Sequence, residues 1–179
     1  TTAKRVVGFL VDLFEEADPE QAQGREVTVR EVVARGSARI QAQLVSEPMV
    51  QAQLQNTLGA ISWRLGDYES ATGLLEGALA TLEREKGEDA ALAAVLAQLG
   101  AVYADQQSFD KATRTLVRAR ALLEADPGSA PVDLARTLNS LGTVALREGD
   151  LGEAERLFAR ALELHRAATR VFCLTIVAG

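Results

Sequence analysis

Residues 58–78 read Leu-Gly-Ala-Ile-Ser-Trp-Arg-Leu-Gly-Asp-Tyr-Glu-Ser-Ala-Thr-Gly-Leu-Leu-Glu-Gly-Ala, and the chain writes this stretch three times. Its fixed points are Leu58-Gly59, Gly66-Asp67-Tyr68, Ala71, Leu75 and Ala78. They return as Leu99-Gly100, Phe109, Ala112, Leu116 and Ala119, and again as Leu141-Gly142, Gly149-Asp150-Leu151, Ala154, Phe158 and Ala161. The spacing from Leu58 to Leu99 is 41 residues and from Leu99 to Leu141 it is 42. A fixed period of this size predicts a stacked array of like units, and an array without catalytic groups is expected to be a binding surface.

Working outward, the apolar positions around each copy recur at helical spacing. Three hairpins are predicted: Met49 to Arg64 with Tyr68 to Arg84, Asp89 to Asp105 with Phe109 to Glu124, and Val132 to Arg147 with Leu151 to Ala168. Pro48 suits the first turn of its helix, where a missing N–H costs nothing. Asp126-Pro127-Gly128-Ser129-Ala130-Pro131 reads as an inter-repeat linker, and the acidic stretch Glu83, Glu85, Glu88 and Asp89 with Lys86 as a solvated loop. Before the repeats, Ala3 to Ala17 forms an amphipathic pattern ending at Asp18-Pro19, and Glu20 to Glu26 is a polar loop. A second helix is expected from Thr28, with Glu31 answering it as in a capping box, to about Val45.

The expected architecture is all-α, a right-handed α-solenoid of stacked antiparallel hairpins: eight helices in four pairs. Residues 1–47 form the first pair, a degenerate repeat or N-terminal cap. Residues 48–168 hold three repeats at about 52–85, 93–126 and 135–168. Residues 169–179 are apolar and read as the start of a further helix or an extended tail.

The repeated small residues are steric. Gly59, Gly100 and Gly142 on the first helices, and Ala71, Ala112 and Ala154 on the second, let two backbones approach closely. Tyr68, Phe109 and Leu151 are expected to fill the wedge beside the turn, and Leu75, Leu116 and Phe158 to pack between neighbouring hairpins.

Composition narrows the function classes. With 4 Pro and 4% aromatics the chain favours helices over a sheet sandwich. A net charge of −6 supplies no basic face, which argues against nucleic acid as the main partner. No apolar run reaches the roughly 20 residues a bilayer crossing requires, so no direct membrane insertion is expected. One cysteine, Cys173, rules out an internal disulfide framework, and it is expected to pack with Phe172 and Leu174. The single His165 has no nearby His or Cys, so neither a metal nor any other cofactor is expected. No carboxylates sit at an acid/base spacing, and the chain is not read as an enzyme. Neither end has the look of a natural terminus, which fits a piece of a longer protein.

The pattern Leu58-Gly59, Tyr68, Ala71, Leu75, Ala78 resembles the tetratricopeptide repeat over about Ala52 to Ala168. The period of 41 to 42 departs from the usual 34 and is similar to the longer-looped variety of kinesin light chains and many bacterial multidomain proteins. A position often occupied by Tyr is Ser62, Tyr103 and Ala145, so only the middle copy keeps it. The resemblance implies that the first helix of each pair lines a concave groove for a protein or peptide.

It places Gln53, Asn56, Thr57, Ala60, Trp63 and Arg64 there in the first repeat, with Ala94, Ala97, Gln98, Ala101, Ala104 and Asp105 in the second. In the third it places Arg136, Asn139, Ser140, Thr143, Leu146 and Arg147. Asn56, Gln98 and Asn139 carry carboxamides that donate and accept at once, which suits a peptide backbone. Arg64, Arg136 and Arg147 suit acidic side chains or a terminal carboxylate, and are equally ordinary solvated arginines. Trp63 is either an anchor for a ligand or a residue covered by the first hairpin. The carboxylate clamp that holds chaperone tails is not reproduced, because Gln53, Gln98 and Ser140 stand where its residues would be.

A second resemblance lies in Phe9-Leu10-Val11-Asp12-Leu13-Phe14, Ala17-Asp18-Pro19, Val27-Thr28-Val29-Arg30-Glu31 and Ala38-Arg39-Ile40. It is similar to the segment joining kinase domain to repeats in bacterial serine/threonine kinases of the tetratricopeptide type. It implies a regulatory region of a signalling kinase whose catalytic loops lie outside these residues. Self-association through the apolar Val171 to Ala178, giving a homo-oligomer, and regulation of another enzyme or transcriptional regulator are the other readings.

Overall fold

The structure, a computed structural model, describes residues 7–9, 11, 28–44, 46–125 and 131–178, with side chains to residue 169. All regular structure among them is helical. The chain divides into two compact units, residues 1–87 and 88–179. The expected loop at 20–26, most of the helix at 3–17 and the linker at 126–130 lie outside the described residues.

In the first unit, residues 7–9 and 11 are helical, followed by α1 (Val29–Gln43), α2 (Pro48–Arg64) and α3 (Tyr68–Arg84). Thr28 caps α1 through the expected box: its hydroxyl accepts from the Glu31 N–H at 3.3 Å, and the Glu31 carboxylate accepts from the Thr28 N–H at 3.2 Å. Pro48 opens α2 at its first position. Val32, Val33 and Ile40 from α1 meet Val50, Leu54 and Leu58 from α2 and Leu74 from α3 in one core, with Phe9, Leu44 and Ile61 packed on it. Arg30 adds a polar tie, donating to the Leu65 carbonyl at 2.9 Å just past the end of α2.

The second unit holds α4 (Asp89–Asp105), α5 (Phe109–Ala125), α6 (Pro131–Glu148) and α7 (Leu151–Ala178). The pairs α4 with α5 and α6 with α7 are hairpins, and α6 packs on both helices of the preceding pair. The backbone of α7 runs on ten residues beyond the expected Ala168, so the apolar tail continues the last helix. The side chain of Cys173, expected to pack with Phe172 and Leu174, lies outside the described residues.

Within each hairpin the helices close on a glycine. A Cβ at Gly59 would lie 2.8 Å from Leu75 Cγ, at Gly100 2.5 Å from Leu116 Cγ, and at Gly142 2.7 Å from Phe158 Cε1. The Ala71 and Ala112 carbonyls lie 3.5 and 3.4 Å from the first two positions. Leu75, Leu116 and Phe158 therefore sit on the glycine of their own hairpin, whereas the repeat pattern had suggested contacts between hairpins. A glycine leaves a socket one side chain deep, and the large residue opposite fills it. Leu151 also departs from expectation: it is 66% exposed and fills no wedge.

The turns explain how the hairpins close so tightly. After α2 the Gly66 N–H donates to the Trp63 carbonyl at 2.9 Å and the Asp67 N–H to Ser62 at 2.9 Å, the two bonds of a Schellman motif. The same pair follows α4, from Gln107 to Ala104 and Ser108 to Tyr103, and follows α6, from Gly149 to Leu146 and Asp150 to Ala145. Asp67 then caps α3 by accepting from the Ser70 N–H at 3.2 Å, and Asp150 caps α7 by accepting from Glu153 at 3.0 Å. The motif needs a left-handed residue, met by Gly66 (φ 73°) and Gly149 (φ 88°), while the middle copy holds Gln107 there at φ 59°.

Candidate functional site

Helices α2, α4 and α6 each bury one side against their partner and leave the other open. On α2, Gln53 and Arg64 are exposed, and Asn56, Thr57, Ala60 and Trp63 are half-buried. On α4 the open side is Ala94, Ala97, Gln98, Ala101 and Asp105, all half-buried, and three alanines make it shallow and apolar, while Ala104, expected there, is buried. On α6 it is Arg136, Asn139, Leu146 and Arg147, exposed, with Ser140 and Thr143 half-buried. Because α4 and α6 pack together, the second unit presents an alanine-floored strip beside a polar and basic one.

The hydrogen bonds sort these side chains. Thr57 donates to the Gln53 carbonyl at 2.9 Å, Thr143 to Asn139 at 3.0 Å and Ser140 to Arg136 at 3.2 Å, so each hydroxyl is engaged by its own helix. Arg136 lies 3.4 Å from Asp133 one turn earlier on α6. Arg147 donates to the Ala104 carbonyl at 2.8 Å and approaches Asp105 Oδ1 at 3.4 Å, fastening the end of α6 to the end of α4. This guanidinium meets the last carbonyls of α4, where the helix carries its partial negative charge. Sequence spacing alone gave no sign of that role, since the partners are 42 and 43 residues away.

Two carboxamides differ from all of these. Asn56 Oδ1 and Gln98 Oε1 are buried and have no hydrogen-bond partner. Each unit thus has one half-buried carboxamide on a first helix whose acceptor lacks a donor, an arrangement that costs free energy until a donor arrives. Asn139, by contrast, is exposed. Two further orphaned atoms escaped the sequence reading, Gln55 Oε1 and Ser62 Oγ on α2, in residues 7% and 1% exposed. The signal was in the repeat register, where Gln55 aligns with Leu96 and Leu138. Among the described residues no group of His, Cys, Asp and Glu could hold a metal ion, and no helix is long and apolar enough to cross a membrane.

The tetratricopeptide repeat family profile matches residues 50–125 and 92–167, two overlapping copies spanning all three hairpins. The chain belongs to the tetratricopeptide repeat family. The crystal structure of BtubC (BKLC) from P. vanneervenii is similar to this repeat protein with a TM-score of 0.67 at 29% identity, covering 78% of this chain and 56% of that one. The chain therefore spans little more than half the length of BtubC. The crystal structure of MamA is similar in fold, with a TM-score of 0.57 at 20% identity, covering 78% of this chain and 72% of that one. No curated protein sequence matches the chain. The all-α hairpin array expected from the sequence is the fold, a scaffold that in this family is non-catalytic and generally mediates protein–protein interaction.

Proposed function

We propose that each unit of this tetratricopeptide module binds an extended peptide, or an extended segment of a partner domain, along the open face of its own first helices. The observation that carries the reading is the orphaned acceptor that each unit holds, Asn56 Oδ1 in the first and Gln98 Oε1 in the second. A peptide backbone supplies N–H donors at regular spacing, and a carboxamide can accept from one N–H while donating to the adjacent carbonyl. Within their own units, Gln53, Trp63 and Arg64 on α2 and Arg136 and Asn139 on α6 are the readers of side chains. Thr143 and Arg147 serve the same faces indirectly, through the hydrogen bonds they make within the fold. Peptides selected from a random display library on the intact protein test this. The expected result is a binder that loses about tenfold or more in affinity for Asn56→Ala/Gln98→Ala, with thermal melting no lower; equal affinity for both proteins would refute it.

The finer assignment, a regulatory region of a bacterial signalling serine/threonine kinase, is supported by the likeness of residues 9–19 and 27–40 to the segment that joins kinase and repeats in such enzymes. The coding sequence upstream of Thr1 tests it, and a region there without kinase motifs would remove the assignment. Self-association is the second reading, favoured by the helical backbone of α7 through Ala178 and its apolar sequence from Val171. Sedimentation with and without residues 171–179 decides it: a monomer in both forms would end this reading.

A further inference from the structure

The three second helices share a packing side and differ on the side turned outward. On α3 that face carries Ser70, Gly73 and Ala80, all exposed, with half-buried Gly77 among them. The aligned positions of Gly73 and Gly77 are Arg114 and Arg118 on α5, and Arg156 and Arg160 on α7. The hairpin fold thus accepts a long side chain at both places. A Cβ added at Gly73 would meet nothing within 4 Å, so packing does not require glycine there. Gly73 on this exposed face is unfavourable relative to alanine and gains nothing within this chain, while Gly77 leaves room for a side chain of α2.

A second observation points to a ligand. The Gln55 carboxamide of α2 lies against Gly77, with its Nε2 3.0 Å and its Oε1 3.5 Å from the position of an added Cβ. Gln55 is 7% exposed, and its Oε1 has no hydrogen-bond partner. Leu96 and Leu138 fill this position in the other hairpins, 2% and 4% exposed. The one hairpin with a glycine stripe is therefore also the one with an unsatisfied carboxamide beneath it. Along one edge of the stripe Glu69, Glu76 and Glu83 are exposed and seven residues apart, forming a single acidic row.

We propose that the outer face of α3 is a second docking surface, built for a basic amphipathic helix of a partner protein. The small residues let the partner's backbone come close, as small-residue stripes do wherever helices pack tightly. The acidic row fixes its charge and orientation. A polar side chain of the partner entering at Gly77 supplies the donor that Gln55 Oε1 lacks. A second copy of α3 would place acidic row against acidic row, which disfavours self-pairing through this face. The proposal does not depend on peptide binding by the first helices.

The probe is a labelled 21-residue helical peptide with a stripe of alanine and serine edged by lysines at every seventh position, and a control peptide with glutamates in place of the lysines. Fluorescence anisotropy at low and high salt is read on the full chain. The lysine peptide is expected to bind and the glutamate peptide not to. Gly73→Leu and Glu69→Lys/Glu76→Lys are each expected to weaken binding at least tenfold with the circular dichroism spectrum unchanged, and Gln55→Leu several-fold with melting no lower. Asn56→Ala/Gln98→Ala is expected to leave this binding intact, which separates it from the peptide reading. Equal binding of both peptides, or indifference to both Gly73→Leu and Glu69→Lys/Glu76→Lys, would overturn the proposal. So would sedimentation showing that the protein self-associates and that Gly73→Leu makes it monomeric, since a second copy would then be the occupant.

Discussion

The closed seam of each hairpin and the open face of its first helix lie on opposite sides of the same helices, and they treat the repeat differently. At the seam the residue types recur: glycine on the first helix, alanine and a large apolar residue on the second, each alanine at most 3% exposed. On the open face the types vary from copy to copy: position Asn56 becomes Ala97 and then Asn139, and Thr57 becomes Gln98 and then Ser140. The seam has a large side chain in each glycine socket, whereas the open faces of α2 and α4 each hold an acceptor without a donor. Regular positions hold the helices together, and the acceptors left without donors lie among the irregular ones.

The largest effect is expected where the seam is closest. Gly100→Val drives a branched side chain into Leu116 and should cost about 3 kcal/mol in urea unfolding, toward the upper end for overpacked cores. A cost near zero would mean that the seam is looser than its geometry. On the open face the expectation is reversed. Asn56→Ala/Gln98→Ala should weaken a selected peptide by about 1.4 kcal/mol, a factor of ten, while unfolding stability does not fall, because two unsatisfied acceptors are removed.

Arg147 lies between the two categories, since it sits on the open face but bonds within the fold. Arg147→Ala should lose about 1 kcal/mol of stability, less than a buried charged hydrogen bond because its side chain is 41% exposed. The smallest effect tests the turn. Gln107→Gly relieves a left-handed residue that the other two copies already fill with glycine, and should raise stability by about 0.5–1 kcal/mol in the same urea experiment.

What was legible in the sequence follows the same division. The seam residues recur at a constant register, and α3 and α4 begin and end where the pattern places them. Leu75 and Leu116 were visible as repeated residues, yet their seating on Gly59 and Gly100 was not, because a period gives register and not direction. The Arg147 bond to Ala104 was hidden because it joins backbone to side chain across a whole repeat. Gln55 was hidden for another reason: a single glutamine in a helix reads as solvated until its neighbours show it to be enclosed.

The most direct test of the central division is a nitrogen-15 spectrum of the labelled protein with and without a library-selected peptide, following the side-chain amides of Asn56 and Gln98 beside the backbone amides of Gly59 and Gly100. The two carboxamide signals should shift and exchange more slowly with solvent on binding, with the glycine signals in place. A bound peptide that moves the glycine signals and leaves both carboxamides unchanged would contradict the account.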